Sequence, residues 1–351
     1  MVLAYLHRHI ATTVTFKRFL QLCTVFTFSW LFFPFAYAQE EVNFAKRPEV
    51  QSFIHQMVKK HKFKETELKK IFTAVKVRPT VIRSVKAPLE HRPWYIYQKL
   101  FITEWRITKG VEFWDKYKTA LMTVEKKYGV PANIIVATIG IETKYGQHTG
   151  SYPVIDALTN IGFSQSPRAN FFRSELEEFL LLTREKNLDP LKVLGSYAGA
   201  IGQPQFMPSS YRRYAVSYHG KTPIDLSHNE LDVIASIANY YKQKGWITNN
   251  PITSPASLVK NQFQFLENKH KEITVIKKSM PAAYGVTNKT EAQKNSPYKI
   301  IELQNFWTHE YWFTFHNFDV IKRYNNSDLY AMAVFQLSRY ILDMREKRGV
   351  T

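Results

Sequence analysis

Glu142 is the residue of this sequence best suited to acid–base chemistry. It ends an almost wholly apolar stretch, residues 132–143, and Thr143-Lys-Tyr-Gly146 follows. A carboxyl group at the end of a buried helix loses hydration, and that loss raises its pKa. A carboxylic acid that is still protonated near neutral pH can donate a proton to a glycosidic oxygen. A purely structural glutamate, paired with Lys144 or capping a helix, is the alternative.

A second group of polar residues lies in a segment, residues 195–211, that is dense in Gly, Ser and Gln. Small residues allow the backbone to approach a ligand closely. The side chains of Ser196, Gln203 and Gln205 could bond to hydroxyl and N-acetyl groups. A tight turn between two helices would have the same composition, so both interpretations stay open here.

The elements that carry these residues are mostly helical. Apolar residues recur at helical spacing between residues 42 and 126, and residues 112–128 form an amphipathic pattern that stops at Gly129. Pro131 then suits the start of the helix that carries Glu142. Further helices are predicted over residues 170–185, 191–200, 230–244 and 327–346.

After Trp246 the pattern becomes alternating, β-branched and aromatic. The predicted strands are residues 261–265, 272–276, 299–303 and 311–315. We therefore predict a mainly α fold with a small β subdomain, of the α+β class. Its parts are a helical catalytic domain at 39–255, a strand-rich insertion at 256–320, and a C-terminal helix at 321–351 that returns to the core.

The N-terminus has the parts of a secretory signal peptide. A basic segment is followed by the apolar run 19–35 and then by Ala36-Tyr-Ala38. We predict cleavage after Ala38, so that residues 1–38 are removed. A retained anchor helix is the alternative, because the run is nearly long enough to span a bilayer. Leu22 precedes Cys23, where a lipoprotein signal has a small residue, and this argues against lipidation.

The composition limits the classes of binding partner. The formal net charge is +19, and removal of the signal, with its three basic residues and no acidic one, leaves +16. Such a charge attracts nucleic acid, an anionic membrane surface or an acidic polymer. Export and the lack of a recognition motif argue strongly against nucleic acid as the partner. The single cysteine, Cys23, excludes an intramolecular disulfide and a cysteine-rich metal site.

Together these motifs resemble the B family of lytic murein transglycosylases, from about residue 45 to the C-terminus. The segment 195–211 is the most specific of them, and the Glu142-Thr-Lys-Tyr-Gly motif is less so. The matching stretches are residues 130–146, 168–176, 195–211, 238–241, 245–246 and 323–334.

The resemblance implies a lysozyme-like helical core with an inserted β subdomain, and Glu142 as the single catalytic acid/base. The implied reaction cleaves the β-1,4 bond between N-acetylmuramic acid and N-acetylglucosamine in peptidoglycan. The muramyl C6 hydroxyl replaces water and gives a 1,6-anhydro end. Ordinary glycosidases need two carboxylates. Here the substrate's own hydroxyl is the implied nucleophile, and its 2-acetamido group stabilises the oxocarbenium ion, so a second carboxylate is not needed. No cofactor is implied.

The resemblance also implies a set of substrate-binding residues, and for each tyrosine ordinary core packing is the alternative. Aromatic faces pack on sugar rings, hydroxyls and amides bond to their edges, and an arginine can meet a stem-peptide carboxylate. At Pro167 the family often has a further arginine. The implied residues are Ser196, Gln205, Asn325, Tyr324, Tyr330, Tyr97 and Arg168.

One loop departs from some relatives, which carry an EF-hand-like calcium site there. Residues 217–228 offer Ser217, His219, Lys221 and His228 at the coordinating positions 1, 3, 5 and 12. A lysine repels calcium, so we predict no calcium site. Binding of another metal by His219 and His228 is the alternative to solvated loop histidines, and we predict no metal there either.

We expect a monomer that binds peptidoglycan glycan strands in the periplasm, with possible contact to a membrane surface. A hydrolytic muramidase and a non-catalytic wall-binding protein are the alternatives. Digestion products distinguish all three.

Overall fold

The computed structural model describes residues 43–86, 92–220, 223–258, 273–275, 286–288 and 298–349. The predicted signal peptide and the predicted strand at 261–265 lie outside these residues. Among the described residues, no helix has the length and apolar character needed to cross a membrane.

Helices account for most of the described chain. Thirteen α-helices are found there, preceded by a short 3₁₀ turn at Phe44–Lys46. They are α1 (Pro48–His61), α2 (Glu65–Ala74), α3 (Pro79–Lys86), α4 (Trp94–Phe101), α5 (Glu104–Lys116), α6 (Lys118–Tyr128), α7 (Ala132–Thr143), α8 (Val154–Gly162), α9 (Ala169–Glu185), α10 (Pro208–Tyr214), α11 (Glu230–Gln243), α12 (His316–Lys322) and α13 (Asp328–Lys347).

The described strands form two antiparallel sheets. The smaller sheet pairs β1 with β2, and the larger has the order β4-β6-β7-β3-β5. The strands are β1 (Tyr152–Pro153), β2 (Leu194–Gly195), β3 (Thr253–Leu258), β4 (Ile273–Val275), β5 (Val286–Asn288), β6 (Tyr298–Gln304) and β7 (His309–Thr314). The predicted mainly α fold with a small β subdomain is confirmed.

The larger sheet lies in sequence between α11 and α12, and the chain then returns to the helices. Helix α13 packs against α7 and α5. The predicted domain limits at residues 255 and 320 stay predictions, although the strands of this sheet run from Thr253 to Thr314.

Helix α7 is the centre of the helical core. Ten of its twelve residues are buried, which fits its lack of a polar face. Pro131 precedes it as its N-cap, as the sequence predicts. The one interior hydroxyl, Thr138 Oγ1, bonds to Tyr241 Oη at 2.8 Å and to the Ile134 carbonyl at 2.8 Å. The helix is therefore fixed on all sides before it reaches Glu142.

Two helix predictions were wrong. Residues 191–200 form β2 and turns instead of a helix, because the Ser196 hydroxyl accepts hydrogen bonds from the Ala198 and Ala200 amides. The pattern at 112–128 belongs to two helices, which divide at Tyr117, where φ is −110° and ψ is 22°.

Candidate active site

The Glu142 carboxylate lies half-buried at the C-terminal end of α7 and receives a hydrogen bond from α13. Tyr330 Oη donates to Glu142 Oε1 across 2.6 Å. The Tyr330 ring is only 2% exposed, so the donor is fixed by the core. The sequence predicts Tyr330 in the site but not this bond.

A cluster of aromatic rings surrounds Tyr330. Its ring stacks on that of Tyr324, with centroids 6.2 Å apart and planes 16° apart. Burial, and then the charge of Glu142, raises the pKa of both phenols well above the usual value. Both therefore stay protonated near neutral pH, and Tyr330 remains a donor. The cluster consists of Phe206, Tyr240, Tyr241, Tyr324 and Tyr330.

The turn that follows Glu142 has a strained backbone. Three successive residues have positive φ, namely Lys144 at 50°, Tyr145 at 58° and Gly146 at 85°. For non-glycine residues this conformation costs about 1–2 kcal/mol each. Such strain persists only where the surroundings hold it, and it clusters at functional sites.

Tyr145 and Arg106 hold this turn. Tyr145 Oη donates to the Arg106 carbonyl at 2.7 Å, and Arg106 Nε donates to the Gly140 carbonyl at 2.8 Å. A Cβ atom at Gly140 would lie 2.5 Å from Tyr145 Oη, so only glycine admits the ring. The sequence analysis missed Arg106, whose guanidinium is buried against carbonyls and caps α4 through the Leu100 oxygen at 2.6 Å.

The same turn connects Glu142 to the polar segment 195–211. Thr143 Oγ1 donates to the Gln203 carbonyl at 3.0 Å and accepts from the Gly146 amide at 3.0 Å. A Cβ atom at Gly146 would lie 2.9 Å from the Gln203 side chain. The two motifs singled out in the sequence are therefore one structural unit.

Gln205 is fixed in an unusual conformation in this unit. Its φ is 49°, and its Nε2 donates to the carbonyls of Gly202 at 2.9 Å and Thr149 at 3.0 Å. The neighbouring Pro204 carbonyl accepts from Tyr324 Oη at 2.5 Å. With Nε2 held in this way, Oε1 is the group of Gln205 that can accept a hydrogen bond from a ligand.

Ser196 stabilises a turn in the same segment. Besides its Oγ contacts, its amide donates to the Ala200 carbonyl at 2.9 Å. Gly150 packs directly against this turn, since a Cβ atom there would lie 2.1 Å from the Gly195 backbone. Ser196 thus shapes the loop that carries Gln205.

Asn325 lies half-buried in the turn between α12 and α13. Its carbonyl accepts from the Ser327 amide at 2.6 Å, and Ser327 caps α13 by accepting from the Tyr330 amide at 3.3 Å. Asn325 is thus in the turn that sets the start of the helix carrying Tyr330.

Two predicted binding residues have other surroundings. Tyr97 is 1% exposed, and its ring centroid lies 4.7 Å from that of Phe101. Tyr97 therefore packs in the core, and its ring face is not accessible to a sugar. Arg168 is exposed at the start of α9, with its guanidinium over the rings of Phe171 and Phe172 at 5.0 and 5.2 Å. None of these contacts joins either residue to Glu142.

Backbone amides in the described parts of the calcium-loop equivalent, residues 217–220 and 223–228, donate hydrogen bonds to carboxylates. Asp232, on α11, accepts from the amides of Tyr218 at 2.9 Å and Asp225 at 3.1 Å, and Asp225 accepts from the amide of Ser227 at 2.8 Å. In the part of the chain that the structure describes, no group of three His, Cys, Asp or Glu side chains could hold a metal ion. Lys186, whose ammonium interacts with both aspartates, adds a positive charge. The absence of a calcium site in this loop stays a prediction.

Comparison with known proteins identifies the family. Residues 45–339 match the family model described as the transglycosylase SLT domain. Membrane-bound lytic murein transglycosylase B of Escherichia coli K12 is 38% identical over 309 residues, which cover 85% of this chain and 84% of that protein.

Two solved structures are similar throughout the described fold. Soluble lytic transglycosylase SltB1 of Pseudomonas aeruginosa is 40% identical with a TM-score of 0.78, covering 86% of this chain and 100% of that one. The E. coli lytic transglycosylase Slt35 in complex with calcium is 36% identical with a TM-score of 0.77. The match covers 87% of this chain and 96% of that one. The lysozyme-like α+β fold is confirmed. The chain therefore belongs to the transglycosylase SLT domain family and is one of its lytic murein transglycosylases.

Proposed function

We propose that Glu142 catalyses both proton transfers of a non-hydrolytic cleavage of peptidoglycan. Its carboxylic acid protonates the oxygen of the bond between N-acetylmuramic acid and N-acetylglucosamine, and the bond from the muramyl C1 to that oxygen breaks. The muramyl C6 hydroxyl then bonds to C1 and gives its proton to the Glu142 carboxylate. The products are a free N-acetylglucosamine hydroxyl and a 1,6-anhydro end, and Glu142 is again protonated.

The observation that carries this proposal is the hydrogen bond between Tyr330 and Glu142 at the end of a fully packed helix. One carboxylate oxygen, Oε1, is held by a phenol that stays protonated. A carboxyl that must act as acid and then as base needs one fixed orientation in both states. A neutral donor on one oxygen supplies this without adding a competing charge.

We propose binding roles that the same geometry supports. Gln205 Oε1 accepts from the sugar acetamido or a hydroxyl group, while Ser196 keeps the loop of Gln205 in shape. Asn325 contacts the sugar beside the cleaved bond from the turn before α13. Tyr324 and Tyr330 act from behind Glu142 rather than by stacking on sugar. Arg168 remains a candidate for a stem-peptide carboxylate because its guanidinium is exposed.

Digestion of purified murein sacculi, followed by mass analysis of the soluble products, tests the reaction. We expect anhydro-muropeptides, because the C6 hydroxyl replaces water as the group that attacks C1. Products heavier by one water would instead identify a hydrolytic muramidase. Absence of soluble products from a folded protein would favour a wall-binding protein without catalysis.

We also propose that the protein acts in the periplasm as a monomer, after cleavage behind Ala38. The apolar run, the Ala-Tyr-Ala site and the charge of +16 that would remain support export and attraction to an anionic wall or membrane surface. The mass of the protein isolated from cells, together with its sedimentation, tests cleavage and oligomeric state.

Calcium is expected to leave the stability of this protein unchanged. Backbone amides already bond to the Asp225 and Asp232 carboxylates, and the positive charge of Lys186 acts on both, so a calcium ion would have to displace these hydrogen bonds against a repulsive charge. The melting temperature should be the same in millimolar calcium and in EDTA. A calcium-dependent rise, which binding to the folded state alone would produce, would show that our interpretation of the loop is wrong.

A further inference from the structure

The turn between β6 and β7 exposes two large aromatic side chains, Phe306 and Trp307. Phe306 is 61% and Trp307 89% exposed, the highest value among the large apolar residues that the structure describes. The turn is short and closed, since the Asn305 amide donates to the Thr308 carbonyl at 2.8 Å. We call Phe306 and Trp307 the hairpin tip.

The two rings of the hairpin tip are ordered by contacts with each other and with α4. The Phe306 ring meets Trp307 edge-on at 4.5 Å and Tyr95 edge-on at 5.3 Å. Aromatic pairs in this geometry are worth about 0.5–1.5 kcal/mol beyond burial. The tip is therefore held in position before any ligand arrives, which lowers the entropy cost of binding.

The hairpin tip is connected to the site through packed helices. Helix α4, which supports Phe306, is bonded to α13 by Gln98 Nε2, which donates to Gln336 Oε1 at 3.0 Å. Along α13, Gln336 comes six residues after Tyr330, which is about 9 Å of helical rise. The ring contacts that the structure describes for the hairpin tip are with Tyr95 and within the tip, and not with Tyr330, which bonds to Glu142, so a ligand at the tip would be a different part of a long substrate from the bond being cleaved.

The charges beside the tip favour a sugar over an anionic membrane. Glu302 and Glu310 are on the two strands that meet at this turn, and Glu302 pairs with His309 at 3.5 Å. Two carboxylates there repel anionic lipid head groups, whereas the hydroxyl and N-acetyl edges of a glycan's sugar rings carry no charge for them to repel. Apolar ring faces beside polar groups such as Asn305 and Thr308 match a saccharide, which has apolar ring faces and hydroxyl edges.

We propose that the hairpin tip is a second glycan-binding site, which holds a strand of peptidoglycan at a distance from Glu142. Since a second contact makes the next binding event intramolecular, it raises the effective concentration of a polymeric substrate at the site. A substrate too short to reach both sites gains nothing from the second one.

The test compares the double variant F306A/W307A with wild type on two substrates. Because a few large aromatics carry most binding energy at such contacts, we expect about five- to tenfold weaker binding to murein sacculi. Binding is measured by co-sedimentation in the inactive Glu142→Gln background. At low substrate concentration turnover of sacculi should fall by a similar factor, and turnover of a soluble murein tetrasaccharide should be unchanged.

A matched control is Met122→Ala, which removes another exposed apolar side chain, 58% exposed on α6. This variant should bind sacculi and turn over both substrates as wild type does. Equal binding of the double variant and wild type to sacculi would overturn the proposal. So would an equal loss on the tetrasaccharide, which would point to damage at Glu142. Loss of binding to phosphatidylglycerol vesicles, with sacculus binding intact, would overturn it in favour of a membrane contact.

Discussion

Glu142→Gln should lower turnover of murein sacculi by at least about 10³-fold while leaving binding intact. General acid–base catalysis by one group contributes about 10²–10⁴-fold, and here the same carboxyl carries out both proton transfers. Glutamine keeps the shape of the side chain and an oxygen that can accept from Tyr330 Oη, now 2.6 Å from Glu142 Oε1. The site therefore stays assembled and loses only its exchangeable proton.

The measurement is the release of soluble muropeptides, with co-sedimentation on sacculi as the binding readout. Glu125→Gln is the matched control, because Glu125 lies near the other end of α7, where its Oε2 accepts from the Ala132 amide at 3.3 Å. Burial raises the pKa of Glu125, so the control changes a carboxyl whose pKa the fold itself perturbs. Substantial residual activity in Glu142→Gln would rule out the mechanism with a single carboxyl.

The placement of Glu142 could be predicted because its signal is local. A run of apolar residues predicts a buried helix, and the first polar residue at its end emerges at a surface. The strained turn behind it was not predictable from local preference, since Lys144 and Tyr145 are not residues that favour positive φ. That conformation is imposed by the hydrogen bond from Tyr145 to Arg106, which joins residues 39 apart in sequence.

The mistaken helix at residues 191–200 has the same kind of cause. The composition allows a helix, but Gly195 pairs with Tyr152 of β1, and a Cβ atom at Gly195 would lie 2.2 Å from the Ala200 carbonyl. Tertiary pairing therefore decides this segment, and it forms the loop that the site needs. The hairpin tip could not be predicted, because the sequence shows that Phe306 and Trp307 are apolar but not that their side chains are exposed.

Substitution of Tyr330, which donates a hydrogen bond to Glu142, should have the second large effect on catalysis. Tyr330→Phe removes a single oxygen atom and keeps the ring stacked on Tyr324, so that the fold should persist. Glu142 Oε1 loses the hydrogen bond from Tyr330 that helps to fix its orientation, and misplacement of a catalytic group by about 1 Å can cost about 10²-fold. We expect kcat to fall by about 10–100-fold with little change in KM, because the hydroxyl lies behind the carboxylate and not in the path of the sugar.

The pH dependence separates this positioning role from general damage. A hydrogen bond to a carboxylate favours its ionised form. Without it, Glu142 should remain protonated to higher pH, so the alkaline limb of the kcat profile should move upward. The matched control is Tyr311→Phe, which removes the same kind of bond, from Tyr311 Oη to Glu302 Oε1 at 3.0 Å, within the sheet. If Tyr330→Phe and Tyr311→Phe behaved alike in kcat and in pH profile, Tyr330 would have no positioning role.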